Sequence, residues 1–271
     1  MHNTESLLKQ AHAPLGEKSN YVDRYDSSQL CPIPRHQIYS GECYRWDDWT
    51  GYEISWLNPK GKPLVRVGLF RVPGCSPSII ESKSFKLYLN SFNGSRFETE
   101  SEVVDLMTKD LSAAAGAPVQ VRLLKVADAP AVLGLPGACI DDLDVEILHY
   151  APEASLLSTA SGQEVVEERL YSDLLKSNCP VTSQPDWGSV VIDYRGTPIH
   201  HEGLLAYIVS YRDHGDFHEQ CVEQIFTDIM EQCRPERLTV YARYVRRGGL
   251  DINPWRSTEP GEPDDIRLSR Q

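Results

Sequence analysis

The sequence predicts an α+β protein in which one order of secondary-structure elements occurs twice. In each half, two strands are followed by two amphipathic helices and then by a return to strand. A chain of 271 residues is long enough to bury two separate cores. We therefore expect a first domain over residues 1–150, a polar linker at 151–163 and a second domain over residues 164–271. We infer a diverged tandem duplication of one module from this shared order of elements alone, because the two halves have little residue identity.

The strands are predicted from runs of apolar and β-branched residues that end at turn formers. The first two form a hairpin, because Asn58–Gly61 carries the Asn, Pro and Gly of a tight turn. Residues 1–50 are polar, rich in turn formers and without a clear period. The fifth strand in the following list is also compatible with a partly helical segment. The predicted strands are Tyr52–Leu57, Leu64–Phe70, Val119–Val126, Leu143–Tyr150, Val165–Leu175, Ser189–Tyr194 and Arg237–Val245.

Four helices are predicted from apolar residues spaced so that they share one face. Two of them open with residues in capping-box positions, Thr99 with Glu102 and Asp216 with Glu219. The apolar stripes of the four helices run over Phe85–Phe92, Val103–Leu111, Leu204–Tyr211 and Cys221–Cys233.

The composition is that of a soluble protein that does not bind nucleic acid directly. A net charge of −12 argues against the clustered Lys and Arg that phosphate backbones need, but it leaves room for a small anionic ligand. Seven irregularly spaced cysteines do not form a disulfide framework, which indicates reduced thiols and a cytoplasmic location. The N-terminal residues lack a secretory signal pattern, and no apolar run approaches the ~20 residues of a membrane span.

Cys179 and Asp186 are the first candidates for catalysis. They lie seven residues apart in a segment that two prolines keep from becoming a helix. A thiolate can attack an electrophilic carbon, and a nearby carboxyl group can supply the proton that this attack requires. The alternative for Cys179 is a buried, inert thiol, which we expect for Cys221 and Cys233 because they lie on an apolar helical stripe.

The other acidic candidates also have structural alternatives. Asp186 could be a turn residue after Pro185, or an acid kept partly protonated by burial against Trp187. Glu219 suits the predicted capping box. Together with His218, it could instead present a donor and an acceptor to the edge of a heterocycle.

Two segments could bind anions. Glu81–Lys83 precedes the first helix, where free backbone N–H groups and the helix dipole attract phosphate, and Lys86 adds positive charge. Arg246–Gly249 follows a strand and is the second candidate. The alternatives are a solvated first helical turn and an ordinary basic turn.

Other known site patterns are missing from the sequence. The adjacent histidines of His200–Glu202 rarely chelate one ion, and the chain has no CxxC pair and no HExxH. It also has no GxGxxG and no GxxxxGK[ST], so neither a Rossmann nor a P-loop nucleotide site is predicted. We expect no metal.

Four segments in order resemble the NADPH-dependent 7-cyano-7-deazaguanine reductases, the nitrile reductases of queuosine biosynthesis in tRNA modification. The resemblance extends from about Tyr21 to the C-terminus, and the length fits the long, two-module form of that family. Residues 30–50 and the linker show no family pattern. The matching segments are Ile80–Phe92, Lys176–Gly188, Phe217–Glu223 and Tyr241–Arg256.

This resemblance implies a fold, an assembly and a reaction. The fold would be two tandem tunnelling-fold modules, each an antiparallel sheet with helices on one face, closing into a barrel on oligomerisation as a homodimer. The family is related to GTP cyclohydrolase I but lacks its zinc chemistry. The reaction would be four-electron reduction of the substrate nitrile to 7-aminomethyl-7-deazaguanine with two NADPH per turnover and no metal.

The resemblance also implies roles for individual residues, divided between the two halves. Cys179 would form a covalent thioimide with the nitrile carbon, and Asp186 would be the proton donor. The substrate would be held by Ile80, Glu81, Ser82, His218 and Glu219, and NADPH by Ser82, Lys83, Arg247 and Gly248.

Two other function classes remain open at the level of sequence. A cyclohydrolase-like or nitrile hydrolase would consume no NADPH and would release ammonia or a ring-opened product. A purine- or pterin-binding module without activity would tolerate Cys179→Ala. The combined presence of Cys179, Asp186, Glu81 and His218 favours the reductase.

Overall fold

The computed structural model describes residues 21–180 and 182–271, which form a mixed α/β structure of mostly antiparallel strands and four α-helices. These residues divide into two compact units. The first unit holds the described part of Met1–His36 together with Asp47–Pro130 and Arg246–Asp251. The second unit holds Gln37–Trp46, the described part of Ala131–Val245, and Ile252–Gln271.

The elements are labelled in chain order. The strands are β1 Pro32–Pro34, β2 Tyr44–Leu57, β3 Pro63–Pro73, β4 Ser78–Ile80, β5 Gln120–Leu124, β6 Ala138–Cys139, β7 Val166–Ser172, β8 Lys176–Asn178, β9 Pro185–Gly196, β10 Arg237–Tyr244 and β11 Leu250–Ser257. The α-helices are α1 Ser82–Ser91, α2 Glu100–Ala115, α3 His201–Ser210 and α4 His218–Cys233.

The first unit contains neighbouring strands in the order β5-β3-β2, a small β1-β4 sheet, and helices α1 and α2. Its core is aromatic. The ring of Phe85 on α1 meets Trp49 edge-on at a centroid distance of 5.2 Å and Phe70 at 5.1 Å. Such edge-to-face contacts stabilise a core beyond the area they bury. They fix α1, which carries the first candidate anion site at its start.

The second unit contains strands in the order β11-β10-β9-β7-β6, and β8 pairs separately with β9. Neighbouring strands are antiparallel except for the short β6, which runs parallel to β7. Apolar residues of α3 and α4 pack with those of β9 and β10 in one cluster, which includes Leu204, Phe226, Ile192 and Val240. This cluster holds the start of α4 and the first residues of β9, the two places that carry candidate site residues.

Most predicted elements are confirmed. The first hairpin is present with longer strands than predicted, and the apolar stripes of all four helices are largely buried. The N-cap prediction for α2 is correct, since the Thr99 hydroxyl accepts a hydrogen bond from the Glu102 amide at 3.2 Å, although the Glu102 carboxylate accepts from the Glu98 amide at 3.0 Å and not from that of Thr99. The segment predicted as a linker contains a short 3-10 helix at Ala154–Leu156 and a buried Leu157.

The strand predicted at Leu143–Tyr150 is wrong. Leu143 and Val145 pack partly against the core while the acidic residue between them faces solvent, so the segment has the alternation of a strand. In the described chain, however, its backbone has no ladder partner. Side-chain alternation reports a face that is half buried, and it does not by itself report pairing.

The predicted cap of α4 is also wrong. The residue before the helix is Phe217, and no side chain caps the helix. The Asp216 carboxylate instead accepts a hydrogen bond from the Phe217 amide at 2.8 Å. Glu219, which was predicted to complete the box, is buried. Glu219 therefore does not cap the helix, and its contacts are those of a buried residue.

Candidate functional site

Cys179 lies at the closed end of a tight hairpin formed by β8 and β9. Its amide donates to the carbonyl of Gln184 at 2.8 Å, and its own carbonyl accepts from the Ser183 amide at 3.0 Å. Ser183 adopts the left-handed backbone conformation with φ of +53° that the turn requires. Along the hairpin, Ser177 is the register partner of Asp186.

This register places Cys179 and Asp186 on one face of the hairpin. Paired residues of antiparallel strands point to the same side, and so do residues two apart along a strand. Cys179 stands opposite Gln184, two residues before Asp186, so the thiol and the carboxyl group are diagonal neighbours. Both side chains are withdrawn from solvent, at 6% and 5% exposure. The turn interpretation of Asp186 is wrong, because this residue lies within β9.

His218, the first residue of α4, contacts the same carboxyl group. Its Nε2 lies 3.3 Å from Oδ2 of Asp186. Its imidazole stacks on the ring of Tyr244 with the centroids 3.9 Å apart and the planes 11° from parallel. The second ring nitrogen, Nδ1, is buried and has no hydrogen-bond partner among the described residues. The ring therefore has one nitrogen on the candidate acid and one nitrogen available for hydrogen bonding.

Glu219 is held through its backbone by a buried ionic cluster. Its carbonyl accepts from Nη2 of Arg256 at 3.3 Å. The carboxylate of Glu223, one helical turn later, receives Nε of Arg256 at 2.5 Å and lies 3.2 Å from Nε of Arg45. All three charged side chains are almost completely buried. The first turn of α4 is thus fixed by charge pairing where a capping side chain is missing.

The prediction that Cys221 and Cys233 are buried is confirmed. Burial raises the pKa of Cys233 to about 11 and raises the pKa of Cys221 well above its usual range. Thiols with such pKa values are not ionised at neutral pH and do not act as nucleophiles.

In the first unit, Glu81 caps α1. One carboxylate oxygen accepts from the Lys83 amide and the other from the Ser84 amide, both at 2.7 Å. Burial raises the pKa of Glu81, and these two bonds act in the opposite direction. The expectation of free N–H groups at this helix start is therefore wrong for Lys83 and Ser84. An anion would be bound here chiefly by lysine side chains and the Ser82 hydroxyl.

The second candidate anion segment is a tight two-residue turn. Arg247 and Leu250 are bridged by backbone hydrogen bonds, and Gly248 and Gly249 both have positive φ, +62° and +86°. A Cβ on Gly248 would come within 2.6 Å of Nζ of Lys86. The structure therefore brings the two predicted anion segments together through Lys86, although they are far apart in sequence.

Two comparisons with known proteins bear on this arrangement. The family model for the N-terminal part of nitrile reductase, 7-cyano-7-deazaguanine-reductase, matches residues 21–123, and the model for QueF-like proteins matches residues 185–262. An NADPH-dependent 7-cyano-7-deazaguanine reductase from Chromohalobacter salexigens is 54% identical over 96% of this chain and 97% of its own.

The chain belongs to the 7-cyano-7-deazaguanine reductase family.

Among solved structures, the apo crystal structure of the archaeosine synthase QueF-Like matches 37% of this chain and 100% of its own at 16% identity. Its TM-score is 0.32, which is too low to support an argument. Of the site residues, Cys179 lies outside the two regions matched by the reductase-family models, whereas Glu81, Asp186 and His218 lie inside them.

The sequence did not reveal every residue that shapes this reductase-family site. Gln184 closes the hairpin around Cys179, and Tyr244 supports His218. Neither has a spacing that signals its role, because the first contact arises from strand register and the second from packing of α4 on β10. His201, one of the rejected metal candidates, lies 3.1 Å from the Glu168 carboxylate.

Neither a membrane segment nor a metal cluster is found in the described parts of the chain. Across residues 21–180 and 182–271, the helices are too short or too polar to cross a bilayer. In the same residues, His, Cys, Asp and Glu nowhere gather in threes as metal ligands.

Proposed function

We propose that this chain reduces the nitrile of 7-cyano-7-deazaguanine to the aminomethyl group, using NADPH and a thioimide on Cys179. The observation that carries the proposal is the β8–β9 hairpin, which puts a buried thiol and a buried carboxyl group on one face. Membership of the reductase family and the 54% identical relative support the substrate and the reductant. A hydrolase or a binding module would not need this pair together with a cofactor cradle.

Cys179 and Asp186 carry the first step. The thiolate adds to the nitrile carbon, one π bond of the carbon–nitrogen triple bond breaks, and Asp186 protonates the nitrogen. The product is a thioimide, whose carbon accepts a hydride more readily than the nitrile carbon does. Reduction and a second proton give a thiohemiaminal, and loss of the Cys179 sulfur leaves an imine. A second hydride and proton give the amine.

The position of His218 suits a supporting role in this sequence. Its Nε2 lies 3.3 Å from Oδ2 of Asp186, close enough for a proton given up by the carboxyl group to be replaced from the imidazole. Its buried Nδ1 and the neighbouring Glu219 provide polar groups for the deazaguanine. Low exposure of Cys179 and Asp186 limits water, which would otherwise hydrolyse the thioimide.

NADPH, when bound, supplies the hydrides, two per nitrile for a four-electron reduction. The residues of the first unit fit such an anionic cofactor. Gly248 has no side chain where a Cβ would meet Lys86, so the backbone turn and the ammonium group leave a basic cradle. Ser82, Lys83 and Arg247 are the remaining proposed contacts. Ile80 and Glu81 would face the substrate.

The finer structural and cellular features belong to the same proposal. They are two tandem tunnelling-fold modules, barrel closure by association into a homodimer, and a cytoplasmic role in queuosine synthesis. The antiparallel sheets and helices of the two units are compatible with such modules. Analytical ultracentrifugation tests the homodimer directly.

The decisive test follows NADPH absorbance when 7-cyano-7-deazaguanine is added to the purified protein. We expect two NADPH oxidised per nitrile and an amine product by mass spectrometry. Cys179→Ala should abolish turnover. Cys233→Ala is the matched control, because that thiol is equally withdrawn from solvent, at 6% exposure, and lies on the apolar face of α4.

A second readout needs no NADPH. Mixing the protein with the nitrile alone should add the full mass of the substrate to the wild type and to Cys233→Ala, but not to Cys179→Ala. Ammonia release without NADPH loss would instead identify a hydrolase. Binding without mass addition or turnover would identify a binding module, and either result overturns the proposal.

A further inference from the structure

The imidazole of His218 is supported by a ring from another element. Tyr244, the last residue of β10, stacks on it at 3.9 Å with the planes 11° from parallel. Near-parallel packing at this distance fixes the plane of both rings. The side chain of Tyr244 is completely buried, so it forms a fixed floor under His218.

The strand register explains why Tyr244 can occupy this position. Its partner across the β9–β10 ladder is Gly188, two residues after Asp186. A Cβ on Gly188 would come within 3.1 Å of the Tyr244 ring, so a side chain at that position would crowd it. Strand β9 therefore supplies both the candidate acid and the space in which the supporting ring lies.

Two other features near His218, the helix start and the Asp186 contact, do not by themselves fix the plane of its ring. Helix α4 begins without a side-chain cap, and Phe217 provides only backbone at its start. The contact with Asp186 involves one nitrogen, and a contact at a single atom does not fix the plane of the ring. The stack on Tyr244 removes this remaining freedom.

We propose that Tyr244 is a positioning residue, which holds the His218 imidazole in the plane that directs Nε2 at Asp186. The inference rests on the proposed function, because it assigns a role within that site. What matters is the aromatic face, not the hydroxyl group. Burial raises the pKa of the Tyr244 phenol well above its usual range, so the hydroxyl stays neutral at physiological pH.

Three variants distinguish the effect of the aromatic face of Tyr244 from the effects of its hydroxyl group and of side-chain packing. Tyr244→Phe keeps the ring, and Tyr244→Leu keeps an apolar side chain without a flat face. Tyr241→Leu is the matched control, a buried tyrosine on the same strand whose side chain points to the opposite face. Thermal midpoints of all three are recorded first, so that rates are compared only among folded proteins.

The rates are kcat, KM for the nitrile, and the rate of mass addition to Cys179 without NADPH. We expect Tyr244→Phe to stay within about threefold of wild type. Tyr244→Leu should lose roughly 10- to 100-fold in kcat and in the rate of mass addition, because a small misplacement of a catalytic group costs about this much. Tyr241→Leu should retain its rate.

An NMR readout is independent of turnover. With labelled histidine, and with His218→Asn to assign the signal, the ring protons of His218 should show the upfield shift of a stacked ring. The shift should persist in Tyr244→Phe and vanish in Tyr244→Leu. If the wild type has no reductase activity, the proposed function fails while this spectrum still decides the positioning role.

Three results would overturn the inference. Equal rates in wild type and Tyr244→Leu would show that the stack is dispensable. Equal losses in Tyr244→Phe and Tyr244→Leu would assign the role to the hydroxyl group. A His218 signal that does not change in Tyr244→Leu would show that the ring is held by other contacts.

Discussion

Replacing Glu223 by Gln should destabilise the second unit severely. The Glu223 carboxylate is the counter-charge for Arg256 and Arg45, and all three side chains are almost completely buried. The amide of the Glu223→Gln variant would keep the volume and one acceptor but remove the negative charge. Two guanidinium groups would then stay in the interior without the negative charge of Glu223, although both still donate to backbone carbonyls.

The size of the effect follows from burial and distance. Opposite charges about 4 Å apart attract by roughly 4 kcal/mol at an effective dielectric constant near 20, against about 1 kcal/mol in water. Breaking one partner of a buried pair costs about 3–5 kcal/mol, because the remaining charge is stranded. We therefore expect the free energy of unfolding to fall by at least about 3 kcal/mol. For a chain of this size, that lowers Tm by roughly 6–12 °C.

The assay is urea unfolding followed by circular dichroism, with thermal unfolding in parallel. Glu236→Gln is the matched control. Its carboxylate also pairs with an arginine Nε, that of Arg195 at 2.8 Å, but the two side chains are 56% and 49% exposed. Exposed pairs contribute about 0–1 kcal/mol, so this control should unfold almost as the wild type does.

Comparable losses in Glu223→Gln and Glu236→Gln would refute the reasoning, since burial would then make no difference. A double-mutant cycle provides a second check. Adding Arg256→Met to Glu223→Gln removes one of the stranded charges. The double variant should therefore be more stable than the sum of the two single losses predicts.

Three further outcomes are expected. Gly248→Ala should raise KM for NADPH about tenfold with little change in kcat, because the new Cβ displaces Lys86. The control is Gly162→Ala, where φ is +82° and the space around the residue is open. It should cost about 1 kcal/mol of stability and leave KM unchanged. Burial raises the pKa of Glu81, so the folded state binds this proton more tightly than the unfolded state does. The resulting contribution to stability is complete below about pH 4.5 and is lost as pH rises through the folded pKa. Urea unfolding at several pH values should show this dependence in the wild type and its absence in Glu81→Gln. Cys221, buried and with a raised pKa, should remain unalkylated by iodoacetamide in the native protein while the exposed Cys75 reacts, as peptide mass spectrometry would show.

Sequence patterns predicted the elements whose formation depends on residues close together in the chain. The stripe from Phe85 to Phe92, the cap at Thr99 and the first hairpin all depend on residues within a few positions of each other, and all three are present. The strand β11 was not predicted, because Pro254 removes a backbone donor and lowers strand propensity. All eight of its residues are nevertheless buried. Tertiary burial can override such a local signal.

For the candidate site, the sequence indicates which residues to consider but not how they are arranged. Cys179 and Asp186 were selected by their chemistry, but their common face follows from the pairing of β8 with β9, which spacing alone does not specify. The capping-box alternative for Glu219 is wrong for the same reason. Its position in sequence resembles a cap, whereas Arg256, far along the chain, holds its carbonyl. Contacts between distant residues cannot be read from either segment alone.

The cap of α1 has a consequence for the thermodynamics of ligand binding. The two hydrogen bonds that begin the helix also fix both oxygens of the Glu81 carboxylate, so its rotamers are already restricted before any ligand arrives. Ordering a flexible side chain at a binding interface costs about 0.5–1.5 kcal/mol. For a heterocycle held by Glu81, as proposed, that entropy is lost during folding. An ionised carboxylate has about four acceptor positions. The Glu81 carboxylate can therefore accept hydrogen bonds from a ligand while it keeps both bonds to the helix amides.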